Sequence, residues 1–181
     1  MHRSLRGALA ACLLCAFALP AAALTLGEAA PDFTLNDLDG KAHHLADYLQ
    51  AGKIVVLEWY NPGCPFIVKH HGTHKTMNET AAAAAKDGVV WLAINSTNRT
   101  HGDFVAPAAH KAYNQKNGIA YPVLYDSAGD TGRAYDAKTT PHMFIIDPAG
   151  KVVYNGAIDS RSETANVNYV DAALTALAAG K

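Results

Sequence analysis

Three short segments of this chain are almost continuously apolar and rich in β-branched residues. They cover residues 53–59 (KIVVLEW), 89–95 (VVWLAIN) and 143–147 (MFIID). Segments of this length and composition are typical of strands that are buried on both faces of a sheet, because such strands have no solvent-facing side. We therefore expect a central sheet that is covered by helices on both sides.

The segments between these strands carry helix and turn signals. Residues 65–86, 104–117 and 168–179 have helical patterns, and Gly88 and Gly118 stop the first two. Residues 121–125 are short and extended, and residues 148–151 (PAGK) turn the third apolar segment into a hairpin with residues 152–155. This order predicts an α/β fold with a mixed sheet, in which chemistry lies beyond the carboxyl ends of the first, parallel strands.

Residues 1–23 are organised like a secretory signal peptide. A basic start with Arg3 and Arg6 precedes an apolar run at 8–19 and the triplet Ala21-Ala22-Ala23. The run is shorter than the roughly 20 residues that span a bilayer, which disfavours a membrane-anchoring helix. A lipoprotein is an alternative, because residues 9–12 (LAAC) have the residue types found around a lipidated cysteine. We expect residues 24–181 to form one exported domain, in the periplasm.

The cysteine count narrows the chemistry of the mature chain. Two of the three cysteines, Cys12 and Cys15, lie inside the predicted leader, so only Cys64 remains. Exported proteins usually carry cysteines in pairs, so a single one suggests a reactive thiol, a link to another molecule or a buried spectator. The net charge of −1 gives no indication of nucleic-acid binding, and no later segment is long and apolar enough to cross a membrane.

Cys64 is in a setting that favours reactivity. It lies at the predicted junction between the first strand and a helix, where Pro65 occupies the first helical position without cost. The free N–H groups and the positive dipole end of a helix start favour a thiolate, which is the nucleophile toward disulfides and peroxides. The alternative is a small residue buried under the loop. The proposed active-site turn consists of Tyr60, Asn61, Pro62, Gly63 and Pro65 around Cys64.

Four motifs, taken together, resemble the thioredoxin-fold redoxins. They are the start at 27–35 (GEAAPDFTL), the turn at 59–66 (WYNPGCPF), the loop at 139–142 (TTPH) and the strand and turn at 143–151 (MFIIDPAGK). The resemblance is to the exported, peroxiredoxin-like branch of the alkyl hydroperoxide reductase/thiol-specific antioxidant superfamily. It implies a thioredoxin-like domain at 24–181, with a central mixed β-sheet flanked by helices.

The resemblance also implies a substrate-facing loop. It places Thr140, Pro141 and His142 opposite Cys64, with a cis bond before Pro141 and the backbone of Thr140 free to pair with a bound substrate. His142 either lies near the sulfur or points into the sheet.

Four positions depart from the family patterns. Ile67 stands where thioredoxins carry the second cysteine, so no internal thiol resolves a mixed disulfide. Asn61 and Leu57 replace the threonine and proline that precede a peroxidatic cysteine, and Pro141 occupies the place of the peroxide-binding arginine. These departures leave thiol–disulfide exchange open beside peroxide reduction.

The histidines support a rival hypothesis. His70 and His74 are four residues apart on the predicted helix and could share copper or zinc, which would make the protein a metal-binding or interaction module. His71 is about two turns from Cys64, near 10 Å along the axis, so it does not form a local pair with the sulfur. The alternative is that these are surface histidines of a helix without a metal.

We therefore predict a thiol-dependent oxidoreductase in which Cys64 attacks a disulfide or a peroxide. No cofactor or metal is expected. The predicted partners are an external thiol reductant or a disulfide-bearing protein, with peroxide as the other oxidised substrate, and neither nucleic acid nor a membrane span is involved.

Overall fold

The computed structural model describes residues 24–162 and 166–181. The predicted signal peptide at residues 1–23, with Cys12 and Cys15, lies outside the described residues. Within them, no helix combines the length and the apolar character that a membrane crossing requires.

Seven strands in the described part of the chain form one mixed sheet. In chain order they are β1 (Thr34–Asp37), β2 (Ala42–His44), β3 (Val55–Trp59), β4 (Val90–Asn95), β5 (Val123–Tyr125), β6 (His142–Ile146) and β7 (Val152–Gly156). Their order across the sheet is β2-β1-β5-β4-β3-β6-β7. The pairs β3–β4 and β4–β5 are parallel, whereas β3–β6, β6–β7, β1–β5 and β1–β2 are antiparallel.

Six α-helices connect or flank the strands in the described residues. They are α1 (Leu45–Gln50), α2 (Pro65–Val68), α3 (Thr76–Lys86), α4 (Pro107–Asn117), α5 (Asp130–Ala134) and α6 (Tyr169–Ala178), and a π-helical segment (Lys69–Thr73) follows α2. The predicted strands lie within one or two residues of the observed ones. β1, β2, α1 and α5 were not predicted, because they are short and their burial depends on neighbours that are distant in sequence.

The predicted helix over residues 65–86 is wrong. It is broken into α2, the π-helical segment and α3, and Lys75 between the last two has a left-handed backbone at φ 54°. The backbone N–H of His74 donates to the carbonyl of Lys69, which is the i→i+5 bond of a π turn. The break therefore changes which side chains after Cys64 face the sheet.

The sheet is covered on both faces. Alternate residues of β3 contribute to two clusters, with Val55, Leu57 and Trp59 on one face and Val56 on the other. The first face packs against α1 and Tyr135, and the second against α3 and α6. The carboxyl end of β3, the amino end of β6 and the carboxyl end of β7 meet at one edge, since Trp59 pairs with His142 and Met143 with Gly156. Cys64 lies at this edge.

Candidate active site

The turn that carries Cys64 is closed by the side chain of Asn61. Its Oδ1 accepts from the backbone N–H of Gly63 at 2.8 Å, and its Nδ2 donates to Thr97 Oγ1 at 2.9 Å. A Cβ on Gly63 would lie 3.2 Å from Asn61 Oδ1, so a larger residue there would press on this contact. Asn61 therefore ties the turn to the loop after β4, and its polar atoms are engaged within the protein.

Cys64 is a free, half-buried thiol at the first residue before α2. Its Sγ donates to the carbonyl oxygen of Thr140 at 3.0 Å, across the edge from the loop before β6. The Thr140–Pro141 bond is cis, as predicted. The expectation that the backbone of Thr140 is free needs correction at its carbonyl, which accepts the hydrogen bond of the Cys64 thiol in this structure.

His142 is hydrogen-bonded to the neighbouring strand β7 and to the loop before β6. Its Nε2 lies 2.7 Å from Asn155 Oδ1 on β7, and its Nδ1 accepts from the backbone N–H of Lys138 at 3.4 Å. Because Asn155 Nδ2 donates to the carbonyl of Leu24, its oxygen faces His142, which therefore carries its proton on Nε2. Burial lowers the pKa of His142. Of the two predicted orientations, the one toward the sheet is observed.

Tyr60 forms the floor of the turn. It is 1% exposed, its hydroxyl donates to Asn114 Oδ1 at 2.9 Å, and its ring stacks on His110 at 5.1 Å between centroids. The buried Ile67 packs in the same hydrophobic cluster, and the partly buried Cys64 packs against that cluster. The side chain at the position of a second cysteine is therefore part of the core beneath the turn.

A buried ion pair lies under this floor. Glu58 on β3 and His71 in the π-helical segment are both 0% exposed, and Glu58 Oε1 lies 2.7 Å from His71 Nε2. Glu58 Oε2 accepts from Trp91 Nε1 at 3.0 Å and from the Tyr121 hydroxyl at 2.8 Å. Each carboxylate oxygen thus faces only donors, as a buried charge requires.

The hydrogen bonds fix His71 as an imidazolium. Asn78 Nδ2 donates to the carbonyls of Asn117 and Gly118, so Asn78 Oδ1 faces His71 Nδ1, at 2.9 Å. Both ring nitrogens of His71 therefore face acceptors and both must carry protons. Burial opposes this charge, but the carboxylate of Glu58 and the hydrogen bonds from Glu58 and Asn78 outweigh it, so the pKa of His71 is raised.

The histidines do not form the predicted shared site. His70 is 2% exposed and its Nδ1 lies 3.8 Å from Asp159 Oδ2, whereas His74 is exposed. They diverge because the π turn between them removes the i, i+4 alignment of an α-helix. The interpretation of His70 and His71 as surface histidines is wrong, since both are buried. Among the residues that the structure describes, no three His, Cys, Asp or Glu side chains come together as a metal site.

A polar groove of about 240 Å³ borders the turn on the side of β4. Its lining includes Asn61, Thr97, Lys138 and Thr140. Thr140 joins this groove to the sulfur, because its carbonyl accepts from Cys64.

Residues 26–155 match the model of the AhpC/TSA family, which covers well over half of the chain. The chain belongs to this family. The AhpC/TSA assignment confirms the predicted resemblance to this superfamily.

The curated relatives of this AhpC/TSA chain are thiol-disulfide oxidoreductases. The protein named ResA from Geobacillus thermodenitrificans is 31% identical over 131 residues, which cover 72% of this chain and 68% of that protein. The ResA from Geobacillus kaustophilus is 30% identical over 130 residues, with the same coverage of both chains. The prediction of a thiol oxidoreductase class is thus confirmed by its relatives, and the metal-binding alternative gains no support from them.

Solved structures confirm the thioredoxin-like fold of this AhpC/TSA chain. A hypothetical protein from Sinorhizobium meliloti has a TM-score of 0.73 and 26% identity, covering 87% of this chain and 84% of its own. The thioredoxin domain of a thiol-disulfide oxidoreductase from Bacteroides vulgatus has a TM-score of 0.62 and 23% identity, covering 86% and 98%.

Sequence reasoning missed Glu58, His71 and His110 as parts of the site's support. A signal existed for Glu58, which is the one charged residue inside an otherwise apolar strand at Val55–Trp59. Charged residues are rarely buried unless they are paired, so this residue predicts a buried partner. The sequence could not identify His71 as this partner, because the π turn decides which histidine faces Glu58.

Proposed function

We propose that the protein is an exported, single-cysteine thiol–disulfide oxidoreductase that uses Cys64 as its nucleophile and an external thiol as its reductant. The observation that carries this proposal is the half-buried Cys64 thiol, hydrogen-bonded to Thr140 at the edge where β3 and β7 end and β6 begins. The thiol-disulfide oxidoreductase relatives support it.

The cycle begins with the loss of the Cys64 proton. The thiolate then attacks one sulfur of a substrate disulfide, so that a bond forms between Sγ and that sulfur while the substrate S–S bond breaks. The second substrate sulfur leaves with the electron pair and takes up a proton. Deprotonation also removes the hydrogen bond to Thr140, so the step that creates the nucleophile frees this carbonyl for a substrate N–H.

An external thiol completes the cycle. When its thiolate attacks Sγ of the mixed disulfide, the substrate leaves as a thiol and Cys64 becomes bonded to the external sulfur. When it attacks the substrate sulfur, Cys64 leaves and the substrate becomes bonded to the external sulfur. In either case a second external thiolate attacks that external sulfur, which forms the disulfide of the two external thiols and releases the remaining Cys64 or substrate thiolate to take up a proton. The two electrons that reduce the substrate thus come from external thiols, because Ile67 offers no thiol and is fully buried.

The arrangement supports a disulfide over a peroxide as the oxidised substrate. Asn61 stands where peroxiredoxins carry a threonine, and its side chain is engaged with Gly63 and Thr97. Pro141 stands at the position of the peroxide-binding arginine and offers no donor. A peroxide at Cys64 would thus lack both of the polar groups that the family uses.

Export to the periplasm is part of the same proposal. It rests on the leader-like residues 1–23. Intact-mass measurement of protein from its native host tests this. A mass that retains Cys12 and Cys15 without lipid would contradict the proposed cleavage.

The test of the activity measures the reduction of a model disulfide and of hydrogen peroxide, each with an excess of external thiol. Turnover of the disulfide that depends on Cys64 is expected. Peroxide turnover faster than disulfide turnover would overturn the substrate assignment, and no reaction with either would overturn the enzymatic proposal.

A further inference from the structure

Tyr113 on α4 has a buried hydroxyl that the proposed cycle does not use. Among the residues that the structure describes, three buried side-chain atoms lack a hydrogen-bond partner, and they are His70 Nδ1, His110 Nε2 and the Tyr113 hydroxyl. Burying a hydroxyl without a partner is unfavourable in the folded state. Such a group therefore needs an explanation that a fully hydrogen-bonded side chain does not need.

Tyr113 packs against the same part of the core as Cys64. Both residues are partly buried, and both pack against one small hydrophobic cluster, which consists of Tyr60, Ile67, Ala93 and Val123. The Tyr113 ring meets the Tyr60 ring edge-on, with 6.4 Å between the centroids. Tyr113 therefore approaches the active-site turn from α4, on the side of its buried floor.

Electrostatics also places the Tyr113 hydroxyl near the sulfur. Burial raises the pKa of Tyr113, and the negative charges of Glu58 and of a Cys64 thiolate raise it further. Because the Coulomb interaction weakens with separation, a charge on Cys64 acts on this hydroxyl only if the two groups are close. The raised pKa also keeps the proton on Tyr113 throughout the neutral range.

The other titratable groups around the Tyr113 hydroxyl do not serve as its acceptor. Glu58 already accepts from three donors, and the Tyr60 hydroxyl donates to Asn114. His110 is three residues before Tyr113 on α4, but its Nε2 forms no hydrogen bond with the Tyr113 hydroxyl, and both atoms remain without partners in the described part of the chain. The remaining acceptor is one that the reaction at Cys64 creates.

This acceptor forms when Cys64 loses its proton. In the thiol state Sγ donates to the carbonyl oxygen of Thr140 at 3.0 Å. A thiolate has no proton to donate, so two acceptors would then face each other and the sulfur would gain by turning toward a donor. The helix α2 contains only four residues, so its dipole is a weak substitute for a donor.

We propose that Tyr113 is a further catalytic residue, whose hydroxyl donates a hydrogen bond to the Cys64 thiolate. This inference rests on the proposed exchange at Cys64. The proton stays on the tyrosine oxygen and the negative charge stays on the sulfur, so Tyr113 transfers neither a proton nor an electron.

The hydrogen bond would act at two points of the cycle. It favours the thiolate over the thiol, which raises the fraction of protein that can attack a disulfide. It also stabilises Cys64 as the leaving group when an external thiolate attacks the substrate sulfur. The hydroxyl is thus unsatisfied in the resting thiol and satisfied in the charged state, which is the difference that accelerates a reaction.

The test compares Tyr113→Phe with Tyr135→Phe, because each change removes one buried hydroxyl and keeps the ring. The Tyr135 hydroxyl donates to the carbonyl of Pro31 at 2.7 Å, so its contribution is structural. For the wild type and both variants, the rate of alkylation of Cys64 by iodoacetamide is measured against pH, and the urea midpoint of unfolding is measured in parallel.

The two variants should change opposite properties. In Tyr113→Phe the midpoint of the alkylation rate should rise by about one pH unit, and the rate below the midpoint should fall about tenfold, as for the loss of one hydrogen bond to a charged group. Its urea midpoint should stay the same or rise, because the change removes a hydroxyl without a partner. Tyr135→Phe should lower the urea midpoint and keep the alkylation profile of the wild type.

The outcomes separate this inference from the proposed function. An unchanged alkylation midpoint in Tyr113→Phe would overturn the assignment, and a lower urea midpoint in that variant would then mark the hydroxyl as structural. Reduction of a model disulfide is assayed on the same samples. A wild type that is alkylated but reduces no disulfide would defeat the exchange activity, whereas the alkylation midpoints would still decide the role of Tyr113.

Discussion

Glu58 and His71 form a fully buried ion pair, with 2.7 Å between Glu58 Oε1 and His71 Nε2, although they lie on opposite sides of Cys64 in sequence. The pair joins the central strand β3 to the π-helical segment after α2. It therefore fixes the direction in which the chain leaves the active-site turn.

Removing one partner of this pair should destabilise the protein strongly. Glu58→Gln leaves a buried imidazolium without its counter-charge, and we expect a loss of about 3–5 kcal/mol in the free energy of unfolding. Urea denaturation measures it. Lys138→Ala, which breaks the exposed pair with Asp136, is the control and should cost at most about 1 kcal/mol. A loss from Glu58→Gln as small as that of the control would contradict the charged pair.

Cys64→Ser should abolish disulfide reduction, since a serine hydroxyl does not replace the thiolate nucleophile. The matched control is His74→Ala, which alters an exposed side chain on the same part of the chain and should keep most of the activity. Replacing His70, His71 and His74 together is not a suitable control, because His70 and His71 are buried. Residual turnover in Cys64→Ser would show that another residue is the nucleophile.

Ile67→Cys should create an internal resolving thiol. Residues three apart at a helix start lie on one face, and Ile67 packs in the cluster that Cys64 borders. Oxidation of this variant should give an intramolecular disulfide. Release of the substrate from the mixed disulfide should then no longer depend on the external thiol, which instead reduces the internal disulfide. Mass spectrometry after alkylation detects the bond. Val68→Cys places a thiol at an exposed position instead, and equal disulfide yields in both variants would argue against the proposed geometry.

Stability should fall on acidification because of His110. Its Nδ1 lies 3.0 Å from the Tyr125 hydroxyl, which itself donates to the carbonyl of Val105. Its Nε2 is buried and has no hydrogen-bond partner among the residues that the structure describes. Burial lowers the pKa of His110 to about 4. Between this value and the ordinary pKa near 6.5 the unfolded chain binds a proton that the folded chain does not. The free energy of unfolding therefore decreases as the pH is lowered through this range. The change amounts to about 3 kcal/mol at most.

Urea denaturation across this range tests the contribution of His110. His110→Phe removes the titrating group while keeping a ring beside Tyr60, and its stability should depend less on pH than that of the wild type. His74→Ala should leave the dependence unchanged. An identical slope in His110→Phe and the wild type would show that other groups cause it.

At alkaline pH, stability should fall for the opposite reason, because His71 must give up a proton that it holds in the folded protein. The pKa of His71 is raised in the folded state, so its contribution to stability is complete below the ordinary pKa and is lost as the pH rises through the raised value. Nuclear magnetic resonance of the His71 ring should show a doubly protonated imidazole at neutral pH. A neutral ring under these conditions would contradict the hydrogen-bond assignment from Asn78.

The sequence predicted the elements whose signals are local. Continuous apolar runs gave β3, β4 and β6, since strands buried on both faces need no particular neighbour to be recognised. The loop with Cys64 followed from the rule that chemistry lies beyond the carboxyl ends of parallel strands, and Pro65 marked the helix start in advance.

The tertiary structure decided the rest, because it depends on contacts between residues that are far apart in sequence. A helical pattern at 65–86 does not reveal a π turn, whose poorer hydrogen bonds are stabilised by the Glu58–His71 pair and by Asn78. The orientation of His142 depends on Asn155, and the bond from Cys64 reaches Thr140 across 76 residues. The sequence therefore singled out Cys64 as the candidate nucleophile, whereas only the packed sheet determined which groups surround it.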